Sequence, residues 1–209
     1  MKIKNLNVSY GEKVIYKDFN LDILDGKITV ILGESGAGKT TLLRAIGGLT
    51  DYSGEIEKSN EISMVFQNDR LVKSLTVKEN ILLVNENANV TALLEEVGLN
   101  GCDNLYPKTL SGGMARRVAI ARAFAKKSPL CLYDEPFINL DLKNKLSLIN
   151  IVKKKQAQEK NTYIVVTHDI KEAVLLADRI IILKDGKVLD SIERVEKDTE
   201  DLLFKILTD

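Results

Sequence analysis

Eight consecutive residues, Gly33-Glu34-Ser35-Gly36-Ala37-Gly38-Lys39-Thr40, read G-x-x-x-x-G-K-[ST] between an apolar run and a helix-compatible segment. Glycines at this spacing let the backbone curl so that successive N–H groups turn toward phosphate oxygens. The helix that starts here adds its positive dipole end. Lys39 has the reach to meet β- and γ-phosphates, the Thr40 hydroxyl can ligate Mg²⁺, and Thr41 on the same turn completes the nucleotide-contacting set.

Four further residues could complete the chemistry. "LCLYDE" is an apolar strand ending in adjacent carboxylates, Asp134 and Glu135. Acids abutting a buried strand are costly unless a metal or water is near. Asp134 suits holding Mg²⁺ through water, and Glu135, one residue on, suits polarising an attacking water. His168, the single histidine, follows "YIVVT" at a strand's carboxyl end, where an imidazole could touch a γ-phosphate or orient water. Gln67 follows "ISMVF", and its amide could ligate Mg²⁺ or the attacking water. Taken singly, a lone histidine is more often a packing residue and a glutamine after a strand means little.

A second candidate phosphate site starts at "LSGGMARRVAIARA", Leu110–Ala123. Ser111, Gly112 and Gly113 offer a hydroxyl, backbone N–H groups and a helix N-terminus. Ser111 as a plain helix cap is compatible, since one geometry serves both roles.

Bulk properties bound the rest. The 209 residues suffice for one α/β domain with a real core or two small ones. Thirty basic residues balance thirty acidic ones, so no global field steers the chain to nucleic acid or anionic lipid. No stretch reaches the roughly 18–20 apolar residues that cross a bilayer. The first residues alternate like a strand and lack a signal-peptide core. Cys102 and Cys131 fit no metal-ligand spacing and read as reduced, semi-buried thiols.

The elements that must position these groups follow from patterning. "IKNLNVSY" and "KVIYKDFNLDI" read as strands, Asp25-Gly26 as a tight turn, and "KITVIL" as a buried strand feeding the glycine loop. "TTLLRAI" is helical, and "GEIE" and "ISMVF" are short strands. From about Ser74 the period becomes helical, with a Thr76/Glu79 capping box and a helix opening on Thr91 and closing on Gly98. "LCLYDEP" and "TYIVVTHD" are further strands flanking a long helix from about Asp141, whose lysines 153–155 form a solvated face partly offset by Glu159. "RIIILKDGKVLDS" reads as a hairpin and "DTEDLLFKIL" as a short helix. Alternating strands and helices predict a mainly parallel sheet with ligands at its carboxyl edge.

Together these residues resemble an ABC-type ATPase, the nucleotide-binding subunit of an ATP-binding cassette transporter. The resemblance spans nearly the whole chain, through the P-loop at 33–40, the Q-loop Gln67, the signature "LSGGM", the Walker B strand "LCLYDE", the D-loop "INLD" and the switch histidine His168, in the family's order. It implies an α/β P-loop NTPase core with a mainly parallel sheet, an N-terminal antiparallel β subdomain and an inserted helical subdomain at about 74–128, in one domain over 1–209. Tyr10 falls where the family stacks an aromatic on adenine. The implied cofactors are ATP and Mg²⁺, the latter held by Thr40, Gln67 and Asp134. The implied assembly is a head-to-tail pair, homodimeric or with a paralogous ATPase, in which Ser111, Gly112 and Gly113 serve the partner's nucleotide in trans.

The further implied partners are integral membrane permease subunits, met by residues from about Leu71 to Leu83, and a substrate-binding protein, but no nucleic acid. That places the chain on the cytoplasmic face of the membrane. Some departures stand out. Met114 replaces the family's usual Gln and is expected to weaken or retune trans contacts, Ala115 replaces a common polar or basic residue, and Ile138-Asn139 stand where small residues are common. The competing reading is an ABC ATPase driving a non-transport membrane or envelope process. A P-loop kinase or GTPase is remote, because there is no N-K-x-D guanine motif and neither class explains "LSGGM".

Overall fold

The computed structural model describes residues 1–196 and 198–208. The alternating N-terminal pattern forms a meander. Strand β1 (Lys2–Tyr10) pairs antiparallel with β2 (Lys13–Asp22) across Gly11-Glu12, and its other edge takes β4 (Ser53–Glu57). Between them run β3 (Ile28–Leu32), buried along its whole length, and helix α1 (Lys39–Ile46). This three-stranded sheet, ordered β2-β1-β4, is the expected antiparallel unit.

The second sheet has six strands in the order β5-β6-β7-β3-β8-β9, formed by β5 (Ile62–Val65), β6 (Leu130–Asp134), β7 (Thr162–Thr167), β8 (Arg179–Lys184) and β9 (Lys187–Ile192) together with β3. All pairings are parallel except the terminal β8–β9 hairpin, which turns at Asp185-Gly186. Between β5 and β6 lie α2 (Val77–Leu82), α3 (Val90–Glu96) and α4 (Gly112–Ala125). Later come α5 (Leu142–Glu159), α6 (Ile170–Leu176) and α7 (Thr199–Thr208). Side chains alternate across the strands, so the core divides in two. Val30, Leu32, Tyr133 and Val165 face α2–α6, whereas Ile31, Leu132, Ile164 and Val166 face α1 and the antiparallel sheet.

Register sets the site. Asp134 pairs with Val166 and Leu32 with Thr167, so β6, β7 and β3 end at one edge, and Val65 of β5 opposite Tyr133 ends beside them. Glu135, His168 and Gly33 each follow their strand by one residue, and Gln67 follows β5 by two.

Two local expectations are corrected. Helix α3 is capped by the Asn89 side chain, which accepts from the Ala92 N–H at 3.1 Å, and not by Thr91. The amide begins the helix two residues earlier and lets Val90 enter the core. Nor are lysines 153–155 all solvated. Lys155 bridges Glu159 and Glu96, both at 3.1 Å, with its ammonium 5.2 Å above the Phe124 ring, and Lys153 donates to the Leu175 carbonyl. The α2 capping box forms as expected, Thr76 and Glu79 satisfying each other's backbone N–H groups.

Candidate active site

The loop after β3 needs its glycines for two reasons. At Gly33 an added Cβ would overlap the Leu183 carbonyl of β8, so the loop passes flush against the sheet. At Gly38 the backbone has φ +103°, and a Cβ would stand 2.7 Å from the Tyr16 hydroxyl. Gly38 is also the N-cap of α1 with no side-chain cap, which leaves the first helical N–H groups to an anion. Lys39 folds back on the loop, its ammonium donating to the carbonyls of Gly33 at 2.7 Å and Glu34 at 2.8 Å. Burial lowers its pKa, while the Glu135 and Asp134 charges oppose that shift. A phosphate arriving at the loop gives this desolvated ammonium a full counter-charge.

The Thr40 hydroxyl donates to Asp134 Oδ1 at 2.9 Å, tying α1 to the end of β6. Burial raises the pKa of Asp134, and the Thr40 bond partly offsets it. Glu135 adopts a left-handed φ of 47°, its N–H donating to the Val166 carbonyl at 3.0 Å. Its carboxylate meets His168, whose Nδ1 lies 2.9 and 3.1 Å from the two oxygens.

One cleft of about 380 Å³ is lined by Tyr10, by Ser35, Gly36 and Gly38–Thr41 of the loop, by Gln67 and by Glu135. Tyr10 is 46% exposed, and its phenol oxygen accepts from the Thr50 hydroxyl at 3.2 Å. Ser111, Gly112 and Gly113 are absent from this lining. They open α4 elsewhere on the surface, with Ser111 and Gly112 exposed and the Ser111 hydroxyl accepting from the Met114 N–H at 3.2 Å. The Met114 side chain packs against the larger core cluster, so this departure from the expected Gln fills apolar space.

A sequence model of the family described as ABC transporter matches residues 16–138. The chain belongs to the ABC transporter family. It is 40% identical over 198 residues to the aliphatic sulfonates import ATP-binding protein SsuB 3 of Paraburkholderia xenovorans, covering 92% of this chain and 80% of that one. It is 37% identical over 195 residues to SsuB 1 of Paracoccus denitrificans, with coverages of 90% and 81%. Among solved structures it resembles the dimeric, ADP- and phosphate-bound ATP-binding cassette MJ0796, with a TM-score of 0.83, 33% identity, and 93% and 98% of the two chains covered. It is thus an ABC transporter ATP-binding subunit and an ATPase.

The oxygen donors at the cassette's carboxyl edge suit Mg²⁺. The buried Asp134 carboxylate, its pKa raised by burial, bonds the Thr40 hydroxyl and feels Arg44 and Lys39 only through their charge, with no direct ion pair among the described residues. Among the described residues no group of three or more His, Cys, Asp and Glu could enclose a metal. Mg²⁺ needs no such cage, since it binds through one or two protein oxygens plus substrate phosphates and waters.

Two lining residues escaped the sequence reading. Lys13 and Ile15 of β2 face the cleft between Tyr10 and the loop. Lys13, paired with Tyr10 across the β1–β2 turn, brings a cation to the Tyr10 end, and Ile15, beside Gly38, an apolar wall. Strand alternation could have placed Ile15 on one face, but no local signal says that β2 borders the nucleotide.

Proposed function

We propose that this cassette powers solute import by closing head to tail on a second cassette, itself or a paralogue, over two Mg²⁺-ATP molecules. One observation carries the reading. The lining of the cleft that gathers the loop, Gln67 and Glu135 does not include Ser111–Gly113, which open α4 with Ser111 and Gly112 exposed and would offer a half-site for another molecule's nucleotide. The relatives' import role and the dimeric state of MJ0796 support it.

In this mechanism Tyr10 and Ile15 hold the adenine, and Lys39 exchanges its loop carbonyls for β- and γ-phosphate oxygens. The N–H groups of residues 34–41 bind the remaining phosphate charge. Thr40, Asp134 and Gln67 would hold Mg²⁺, which when bound would neutralise phosphate charge. Glu135 accepts a proton from the attacking water, and His168 keeps that carboxylate aimed. Ser111–Gly113 of the paired cassette donate to the γ-phosphate from the opposite side.

Among the described residues no helix is long and apolar enough to cross a membrane. Membrane work therefore falls to separate permease subunits at the cytoplasmic face, fed by a substrate-binding protein. Their docking surface is the segment after Gln67, where Val72 and Leu83 are 41% and 58% exposed. Asn80 fixes that segment, accepting from the Val72 N–H at 2.8 Å and donating to the carbonyls of Val72, Leu75 and Thr76.

The deciding experiment follows Glu135→Gln with Mg²⁺-ATP by light scattering, and identifies integral membrane proteins that co-purify with the native chain. A stable ATP-dependent pair and a co-purifying permease are expected. A variant that stays monomeric at saturating ATP rejects the head-to-tail site. Ribosomes or DNA in place of a permease rejects transport.

A further inference from the structure

Behind the phosphate loop stands the buried phenol of Tyr16. The residue lies in β2, 1% exposed, inside the smaller core cluster, its ring tilted against Phe19 with centroids 4.7 Å apart. Its hydroxyl has no hydrogen-bond partner among the described residues. Burial drives the phenol pKa well above its usual value, so the group stays a neutral O–H. Leaving a hydroxyl dry and unpartnered costs free energy that a phenylalanine ring in the same space would not.

The hydroxyl abuts the loop itself. The Cβ that Gly38 lacks would stand 2.7 Å from the Tyr16 oxygen and 3.1 Å from Cζ, so the phenol tip touches the backbone that caps α1. The Gly186 N–H of the β8–β9 turn donates to the Ala37 carbonyl at 3.1 Å, and a Cβ at Gly186 would overlap the Ile15 carbonyl. Ala37 and Gly38 are thereby seated between β2 and that turn. The loop carbonyls are held by donors of two kinds. Backbone N–H groups hold Ala37 and Gly38, the latter from Leu42 at 2.9 Å. The Lys39 ammonium holds Gly33 and Glu34, and a phosphate draws that donor away. The loop is then short of a donor while Tyr16 has one to spare.

We propose that Tyr16 is a positioning residue of the phosphate loop, whose hydroxyl is idle while the loop is empty and donates to a loop carbonyl once nucleotide has drawn Lys39 away. This rests on the reading of residues 33–40 as the nucleotide's phosphate site. The hydroxyl then has two effects from one cause. It destabilises the empty chain, where it is buried without a partner, and it favours the loaded chain, where it is bonded. Removing it should stabilise the empty chain and weaken nucleotide binding by at least a matching amount, because a ligand gains whatever penalty its binding relieves.

The test is Tyr16→Phe in the purified full chain, which keeps the ring and its packing. Melting is followed without nucleotide, and Mg²⁺-ADP affinity is measured by titration calorimetry, since ADP fills the loop with its β-phosphate and is not hydrolysed. The empty variant is expected to melt about 2–10 °C higher than wild type, the penalty of an unpartnered hydroxyl in a chain of this size. Its affinity for Mg²⁺-ADP is expected to fall roughly fivefold to a hundredfold, the same penalty read as a ratio. In turnover, KM for ATP should rise by a larger factor than kcat falls. A hydroxyl with a merely structural role would move the melting point of the empty chain and leave affinity alone. A variant that binds Mg²⁺-ADP as tightly as wild type therefore overturns the proposal, whatever its melting point. A variant that melts lower when empty overturns it as well, because the hydroxyl would already be bonded there. A wild type that binds no Mg²⁺-ADP defeats the phosphate-site reading and the proposal with it. Equal binding by wild type and variant defeats the proposal alone.

Discussion

The His168 imidazole stands 2.9 and 3.1 Å from the two carboxylate oxygens of Glu135, although the residues are thirty-three positions apart. Glu135 holds a left-handed backbone, a conformation that costs free energy in a residue other than glycine. Glu135 lines the nucleotide cleft, and the imidazole bonds its carboxylate there.

If Glu135 moves the proton and His168 aims it, the two substitutions differ in size. Glu135→Gln should cost about 10²–10⁴ in single-turnover hydrolysis, the usual contribution of a general base, with Mg²⁺-ATP binding retained. His168→Ala should cost less. A larger loss for His168→Ala would reassign the proton transfer to the imidazole.

Asp134 makes a stability prediction with a sign. Burial raises its pKa, so the ionised form is disfavoured in the fold and destabilises the nucleotide-free chain at any pH above that raised value. The cost fades as pH falls through it. Asp134→Asn should therefore melt higher than wild type near about pH 8, by about 2–4 °C per kcal/mol recovered in a chain of this size. The difference should shrink toward acid, and Mg²⁺-dependent hydrolysis should be lost. Calorimetry across pH checks this, and a lower melting point near pH 8 would mean that the carboxylate is net stabilising.

Lys145 bridges α5 to the residues after β7, its ammonium 2.8 Å from Asp169 and 2.6 Å from the buried Glu172. Thr167 donates the other bond to Glu172, at 2.6 Å. Lys145→Met strips the charge partner from a buried carboxylate and should cost up to about 3 kcal/mol, the low end for a broken buried pair because the lysine is partly solvated. Adding Glu172→Gln should restore most of it. Chemical denaturation of the four-member cycle measures the coupling, and additive losses would deny it.

Met114→Gln separates packing from trans contact. The side chain lies against the core, so the swap should cost on the order of 1 kcal/mol of stability. Monomer nucleotide affinity should not change, because the cleft does not include this residue. Turnover or ATP-driven pairing should change. Altered affinity in the monomer would place the signature in the cassette's own site.

Motifs with a local mechanism were legible. The glycine loop, the acids ending β6, the Thr76 box and the Asp185-Gly186 hairpin depend on residues within one turn or strand of each other. The α3 start was misread because Asn89 and Thr91 are both competent caps, and the burial of Val90 decided between them. The i,i+4 pair of Lys155 with Glu159 was legible, but the Lys155–Glu96 bridge and the bonds from Arg116 and Arg122 to residues 66–70 left no sequence signal, since these partners are some fifty residues or more away and Lys and Arg ordinarily point to water.

By itself, then, the sequence determined which residues can bind phosphate, metal and water and which strands and helices carry them, because those properties arise from short-range backbone geometry and side-chain chemistry. Only the tertiary structure decided that Gln67, Thr40, Asp134, Glu135 and His168 meet at one edge while Ser111–Gly113 stay outside it. Parallel register aligns the strand ends, and long guanidinium and carboxylate side chains close distances that no periodicity encodes.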